Sequence, residues 1–232
     1  MESRRKIFEA IYKDHSWGGH SRSGPGSDAA PNRPYLNCLA NLLSFNQDRI
    51  SSVLDVGCGD WGLSKHVDWS AVNYHGIDIV PELIDTLQQT FATESIRFSC
   101  YDAIDSALPL TDLVIVKDVL QHLSNASVKT MIQALEPFPY ALITNDIEKA
   151  GVLARIARFV APHRFAVNGE IENGGARCLD LREDPFGLNA VEVLQYEVDY
   201  RGVRFCKQAL VIQRSDAEPL DLSWLHSDGR HQ

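Results

Sequence analysis

A short apolar run that ends in a glycine-rich turn constrains the fold of this chain most. Val53-Leu-Asp-Val-Gly-Cys-Gly-Asp-Trp-Gly62 reads as a buried strand followed by glycines at positions 57, 59 and 62. Glycine lacks a Cβ and tolerates positive φ, so the backbone of such a turn can approach a ligand closely. The next β-type run ends at Asp78, 23 residues after Asp55 (78 − 55), where a nucleotide-binding βαβ unit carries its ribose-binding acid. The pattern predicts a nucleotide-like ligand, held by the turn and by the amino end of a helix over 62–68.

A carboxylate inside the turn argues against a pyrophosphate ligand. Asp55 precedes the glycines and Asp60-Trp61 stands among them, and these negative charges repel phosphates but suit an amino group. The Asp-x-Gly-x-Gly pattern resembles the first motif of class I S-adenosylmethionine (SAM) methyltransferases. Three more motifs of that family follow in order: Asp78, Asp102 in Ser99-Cys-Tyr-Asp-Ala103, and a strand running into a Val-Leu-x-His-Leu helix over 112–123.

The resemblance implies a set of cofactor contacts. Asp55 would meet the methionine ammonium, Asp78 the ribose hydroxyls, and Asp102 the adenine amino group. The alternative for these three acids is a helix cap or a turn. The implied SAM-binding residues are Asp55, Gly57, Cys58, Gly59, Trp61, Asp78, Ile79, Asp102, Ala103 and Lys117.

The composition limits the classes of protein to which this chain can belong. The chain has 232 residues, 44% of them hydrophobic and 23% charged, as expected for one globular α/β unit with a sizeable core. The net charge of −9 argues against nucleic acid as a partner. No apolar run approaches the roughly 20 residues of a membrane span. Because no apolar segment follows the first residues Met-Glu-Ser-Arg-Arg-Lys, a secretory signal is not expected. Five scattered cysteines are expected to be reduced, which favours the cytoplasm; monomer and homodimer remain open.

Alternating β and α patterns predict a parallel sheet with helices on both faces. The resemblance specifies a Rossmann-like class I methyltransferase fold, whose seven-stranded, mostly parallel sheet has an antiparallel last strand. Strands are predicted over 52–57, 73–78, 96–100, 112–117, 140–145, 193–200 and 205–213. Helices are predicted over 1–16, 35–47, 62–68, 81–91, 125–135 and 148–160.

We divide the chain into three parts. Residues 1–48 hold amino-terminal helices and a Gly/Ser/Pro-rich loop, and 49–214 form the SAM-binding core, with a substrate-loop insert at about 162–190. Residues 215–232 are a polar tail, predicted to be mobile unless Trp224 docks.

The loop over 17–34 is predicted to be a lid, because long loops in compact domains are often functional. It carries Trp17, His20 and Arg22, which a plain linker, the alternative, does not need. We assign these three residues to substrate binding.

Three residues are candidates for the base that a hydroxyl acceptor needs. Asp118, His122 and Asp146 are expected at the carboxyl ends of the fourth and fifth strands, beside the methyl group. His122 titrates near neutrality, although a histidine there can also serve packing alone. Asp118, Asn145 and Asp146 also admit Mg²⁺, as in catechol-type O-methyltransferases. A metal is not favoured, because the order Asn-Asp reverses that family's Asp-Asn.

The insert over 168–187 is a second stretch rich in polar and charged residues. With the loop over 21–27 it resembles a subgroup of small bacterial methyltransferases often encoded among glycan or natural-product genes. Asn145, Arg177 and Arg182 are assigned to the substrate, and the two arginines suit an anion. Internal Arg–Asp pairs on a surface loop are the alternative.

These features predict methyl transfer from SAM to a small polar acceptor, at a hydroxyl oxygen of a sugar-like or natural-product molecule. Two alternatives stay open: N-methylation of a small amine, and a SAM-binding subunit without catalysis.

Overall fold

A seven-stranded sheet forms the centre of the protein. The computed structural model describes residues 3–18, 21–148, 168–200 and 202–227. Within them the strand order is β3-β2-β1-β4-β5-β7-β6, and β7 alone runs antiparallel to its neighbours, which confirms the predicted fold. The strands are β1 Ser52–Val56, β2 Asn73–Asp78, β3 Ile96–Cys100, β4 Leu113–Lys117, β5 Tyr140–Ile147, β6 Val191–Tyr200 and β7 Val203–Gln213.

Helices cover both faces of this sheet. Pro81 opens one at its first turn, where a missing N–H costs nothing. Ser124 caps another, its hydroxyl accepting the Ser127 N–H. The helices are α1 Arg4–Lys13, α2 Arg33–Phe45, α3 Pro81–Phe91, α4 Asn125–Leu135 and α5 Trp224–Ser227.

The helix predicted over 62–68 is wrong. Turns and a single 3-10 turn at Ser64–His66 occupy this stretch. Trp61 adopts a left-handed φ of 58°, which is incompatible with a helix starting there. The Trp69 indole N–H donates to the Ser64 carbonyl at 2.8 Å and so takes an acceptor that a helix would use. The helix predicted over 148–160 lies outside the described residues, apart from residue 148.

The core has two layers, one on each face of the sheet. Alternate residues of β4 show this: Leu113 and Ile115 join the layer under α2, whereas Val114 and Val116 join the layer under α4. All four side chains are nearly inaccessible to solvent, because β4 is a central strand covered on both faces.

The polar tail docks at its apolar residues. Leu220 and Trp224 are buried against the α2 side of the core. The Asn46 side chain accepts the Asp221 N–H at 2.7 Å and donates to the Asp221 carbonyl at 3.1 Å. Two apolar side chains and one amide thus hold a segment predicted to be mobile. In the described part of the chain, no helix combines the length and apolar character that crossing a bilayer requires.

Candidate active site

A cavity of about 520 Å³ lies at the carboxyl ends of the five parallel strands β1 to β5. In an open α/β sheet this is where ligands bind, close to the point where strand order reverses; here β1 lies between β2 and β4. Residues of α1 and of the loop after it, including Trp17 and residues 23–27, line the opposite wall.

The glycine turn after β1 is part of this cavity. Gly57 has a φ of 71° and Gly59 a φ of 56°, values that favour glycine. The N–H groups of Gly57 and Cys58 donate to the Ile77 carbonyl at 2.8 and 3.0 Å, which fixes the turn against β2. A Cβ at Gly57 would overlap the Val119 side chain, so this position has room for glycine alone.

Asp78, at the end of β2, lies in the cavity wall. Its two carboxylate oxygens accept the N–H groups of Gly59 and Val80, each at 3.0 Å. Burial raises the pKa of Asp78 to about 6, against the lowering effect of the backbone N–H groups. Because each carboxylate oxygen has a further lone pair, Asp78 can still accept hydrogen bonds from a ligand.

The residues predicted to contact adenine also reach the cavity. Ile79, Asp102 and Ala103 line one end of it. Asp102 accepts a hydrogen bond from the Ile104 N–H at 3.0 Å and forms an ion pair with Arg4 at 3.1 Å. Because Arg4 is the first residue of α1, this ion pair holds α1 against the same end of the cavity.

Four predicted cofactor residues do not line the cavity: Asp55, Cys58, Gly59 and Trp61. The Asp55 carboxylate is buried behind the turn, where it accepts the hydroxyls of Tyr74 at 2.6 Å and Ser64 at 2.8 Å. Burial raises the pKa of Asp55. Trp61 packs in the core against Tyr74, and Cys58 is likewise absent from the cavity wall. These residues shape the turn from behind.

A network of four charged side chains forms the floor of the cavity. The Lys207 ammonium lies 2.8 Å from Asp118 and 2.7 Å from Asp146, and Lys117 binds the other oxygen of Asp118. Register explains the contact with Asp146, since Lys207 of β7 pairs with Asp146 of β5. Burial opposes ionisation of Asp118, but the two ammonium groups outweigh it and lower its pKa to about 2.

The same network does not fit the Mg²⁺ site considered from the sequence. Lys207 stands between the two carboxylates that would hold the ion, and two cations would repel each other there. Asn145 precedes Asp146 along β5, so its side chain points to the opposite face of the sheet; it does not line the cavity. Among the described residues no cluster of metal ligands occurs.

His122 lies on the cavity wall with a defined tautomer. Its Nδ1 is 2.8 Å from the Gly175 carbonyl, and because a carbonyl only accepts, Nδ1 carries the hydrogen. The lone pair of the neutral ring is therefore on Nε2. Trp17 packs on the imidazole with ring centroids 5.1 Å apart. Burial lowers the pKa of His122, so the neutral form predominates near pH 7.

Asp146, in contrast, has both carboxylate oxygens engaged. One oxygen binds Lys207, and the other accepts the Gln121 side-chain amide at 3.1 Å. The Gln121 carbonyl in turn accepts the Asp146 N–H at 2.7 Å. Gln121 therefore fixes Asp146 at the end of β5.

The loop predicted to be a lid is fastened to the glycine turn through Asp60. This carboxylate accepts the hydroxyls of Ser21 at 2.7 Å and Ser23 at 3.0 Å, and the Arg22 N–H at 2.8 Å. The Gly26 carbonyl further along accepts a hydrogen bond from Lys117 at 2.7 Å. The loop thus contacts both the turn and the charged floor.

The arginines predicted to bind substrate separate into two groups. Arg22 reaches Glu82, and Arg182 reaches Glu192 at 3.0 Å; neither lines the cavity. Arg177 does, together with Trp17. His20 lies outside the described residues.

Four residues of the site were not predicted: Arg4, Asp60, Gln121 and Lys207. Only Lys207 carries a usable sequence signal. It interrupts the run Phe205-Cys206-Lys207-Gln208-Ala209, and a charge within a buried strand needs a partner. The partners are about 60 and 90 residues away in sequence, so only the folded chain identifies them.

Comparison with known proteins agrees with this geometry. Residues 53–137 match the family model described as a methyltransferase domain. Over 105 residues the chain is 29% identical to the malonyl-[acyl-carrier protein] O-methyltransferase of Acetivibrio thermocellus. That match covers 43% of this chain and 37% of the relative, so the chain spans little more than a third of it.

Two solved structures have the same fold over nearly their whole length. Magnesium protoporphyrin IX methyltransferase from Synechocystis PCC 6803, solved with bound S-adenosylhomocysteine (SAH), has a TM-score of 0.58 at 17% identity and covers 91% of this chain and 98% of its own. The N-methyltransferase NodS from Bradyrhizobium japonicum WM9, also in complex with SAH, has a TM-score of 0.59 at 16% identity and covers 93% and 100%.

Proposed function

We propose that this chain is a SAM-dependent methyltransferase that transfers the methyl group of SAM to a hydroxyl oxygen of a small polar acceptor. The match of residues 53–137 to a methyltransferase-domain model and the fold shared with solved methyltransferases support the proposal. One observation carries this proposal: a single cavity is lined both by residues that suit the cofactor and by a candidate base. The Gly57 turn and Asp78 line it on one side, and His122 lines it on another.

The cofactor half consists of residues that suit a sulfonium nucleoside, and SAM supplies the electrophilic methyl group when bound. Asp78 accepts hydrogen bonds from the ribose hydroxyls. Gly57 lets the backbone approach the methionine part, and Ile79, Asp102 and Ala103 surround the adenine. Asp55, from its place behind the turn, holds the turn in shape through Tyr74.

His122 is the base in this proposal. Its Nδ1–H is fixed by the Gly175 carbonyl, and Nε2 takes the proton of the acceptor hydroxyl. The acceptor oxygen forms a bond to the methyl carbon as the carbon–sulfur bond breaks, and the bonding pair stays on sulfur. Asp118 is a weak candidate, because a carboxylate with a pKa of about 2 rarely holds a proton at pH 7. Much of the remaining acceleration comes from positioning.

The loop after α1 acts as a lid over this site. Its contacts to Asp60 and Lys117 must break when cofactor enters or leaves, since residues 23–27 line the cavity. Gly26 approaches the Asp118 carboxylate so closely that a Cβ would overlap it.

Calorimetry with SAH and a transfer assay test the proposal. SAH should bind the wild-type chain, and Asp78→Asn should weaken binding at least tenfold. Asp48→Asn, a matched change at an exposed acid paired with Arg49, should leave SAH binding unchanged. Labelled SAM is then incubated with hydroxylated sugars, small phenols and amines of matched shape. No binding of SAH would refute the proposal. Transfer only to amines, unaffected by His122→Asn, would favour N-methylation.

A further inference from the structure

Arg177 stands out among the cationic side chains that line the cavity. The lining lysines and arginines are Arg4, Lys117, Arg177 and Lys207. Arg4 pairs with Asp102 and Asp105, and both lysines pair with Asp118. Within the described ranges no carboxylate lies at ion-pair distance from Arg177. The nearby Glu170 instead accepts the N–H groups of Asn125 and Ile171.

The guanidinium of Arg177 is nevertheless held in place. Its two terminal nitrogens donate to the Gly169 carbonyl and, at 2.8 Å, to the Leu123 carbonyl. Its Nε is buried and has no hydrogen-bond partner among the residues that the structure describes. Burial lowers the pKa of Arg177, yet an arginine stays charged at any physiological pH. Two carbonyls use two of the five N–H groups, so the fork keeps donors for a planar oxyanion.

The same contacts place Arg177 beside the proposed base. Leu123, whose carbonyl it binds, directly follows His122. Gly175, whose carbonyl orients the imidazole, lies two residues before Arg177. The Gly174 N–H also donates to the His122 carbonyl at 2.8 Å. The guanidinium and the imidazole are thus fixed by one short loop packed on one turn.

From this arrangement we propose that the methyl acceptor is an organic oxyanion, a carboxylate or a phosphate ester, whose charged group Arg177 binds while its hydroxyl faces His122. The inference rests on the proposed methyl transfer and adds the class of acceptor. An anionic acceptor would balance the charge of Arg177, because the two lysines of the cavity floor are already paired with two aspartates. The charge of Glu170 acts on Arg177 only from beyond ion-pair distance and raises its pKa against the lowering effect of burial. A neutral acceptor would therefore leave a partly buried cation without a directly bound counter-charge among the described residues, which is unfavourable.

Matched pairs of probes test the inference on the full chain saturated with SAH. One pair is 4-hydroxybenzoate and 4-hydroxybenzamide, and the other is 4-hydroxyphenyl phosphate and hydroquinone. Ligand-observed NMR titration gives the dissociation constants. We expect the anionic member of at least one pair to bind ten times more tightly than its neutral partner. The pair that shows the difference distinguishes a carboxylate from a phosphate.

Variants locate the preference. Arg177→Gln should reduce affinity for the anionic probe at least tenfold and leave the neutral probe unchanged. Arg177→Lys should lie between, since an ammonium lacks the planar fork. Arg182→Gln is the matched control, because Arg182 pairs with Glu192 away from the cavity, and it should change neither.

The possible outcomes distinguish a failure of this inference from a failure of the proposed methyl transfer. If SAH binds and the wild-type chain shows no preference for either anion, including no binding at all, the inference is overturned and methyl transfer stands. If Arg182→Gln abolishes the preference as fully as Arg177→Gln, the anion is not bound specifically by Arg177 and the inference is overturned. If SAH itself does not bind, both fail. The wild-type comparison needs no variant, so it decides even if Arg177→Gln does not fold.

Discussion

Replacing Lys207 with methionine should be the most informative single change to this protein. Methionine has nearly the same length and volume but no charge, so Lys207→Met leaves Asp118 and Asp146 facing each other without the ammonium between them. The side chain of Lys207 is 4% exposed, and those of the two aspartates are 14% and 15% exposed. These values place the network in the interior, where an uncompensated charge is costly.

Distances and pKa values give the expected size of the effect. At 2.8 and 2.7 Å and an effective dielectric constant of about 20, each attraction amounts to roughly 6 kcal/mol before desolvation is subtracted. Measured losses on removing one partner of a buried pair are about 3–5 kcal/mol. The fall in the Asp118 pKa from 3.8 to about 2 corresponds to an energy on the order of 2 kcal/mol, shared between Lys117 and Lys207. We therefore expect Lys207→Met to lower the free energy of unfolding by about 3–5 kcal/mol at pH 7.

Urea denaturation at several pH values measures this loss. The folded-state pKa of Asp118 is depressed, so its stabilisation is present above the unfolded-state pKa of about 4. It is lost as the pH falls through the folded value of about 2. The difference between wild type and Lys207→Met should therefore be largest near pH 7 and shrink below pH 4. Adding Asp118→Asn and Asp146→Asn should recover part of it, because the repelling carboxylates are then neutral.

An exposed lysine provides the control for this experiment. Lys129 lies on the solvent side of α4, and Lys129→Met should change the unfolding free energy by less than about 0.5 kcal/mol. If Lys207→Met were equally mild at pH 7, or if its effect did not diminish in acid, the reasoning from a buried charge network would be refuted.

Three further predictions concern the active site. Gly57→Ala should abolish measurable SAH binding in calorimetry without unfolding the sheet. The alanine would have to adopt a φ of 71°, and its Cβ would overlap the Val119 side chain. SAH binding within threefold of wild type would contradict this. The affinity for SAH should be nearly constant above pH 7 and fall about tenfold between pH 7 and pH 5, since Asp78, with a pKa of about 6, binds ribose best when ionised. A flat titration would count against its role. His122→Asn should lower kcat about 10²- to 10⁴-fold. The wild-type rate should rise with pH to a plateau, with a midpoint below that of a free imidazole, because burial lowers the pKa of His122. An unchanged profile in the variant would remove His122 as the base.

Local sequence patterns were sufficient for much of the fold. The predicted bounds of α3 and α4 agree with the structure, because hydrophobic periodicity and a proline or serine at the start act within one helix. The glycine turn was predictable for the same reason, since positive φ is a property of single residues. The helix over 62–68 failed because Trp61 buries its ring in the core, and that tertiary contact outweighs helical propensity.

The composition of the site depended on contacts between distant residues. The sequence by itself determined the parallel sheet, the turn after β1 and the acid at the end of β2, since each follows from short-range pattern. Only the tertiary structure decided that Asp55 faces away from the cavity, that Lys207 rather than a metal joins Asp118 to Asp146, and that Arg177 has no carboxylate partner among the described residues. Charge pairing of this kind arises when strands far apart in sequence come into register, and a shift of one residue in that register would turn each side chain to the opposite face of the sheet.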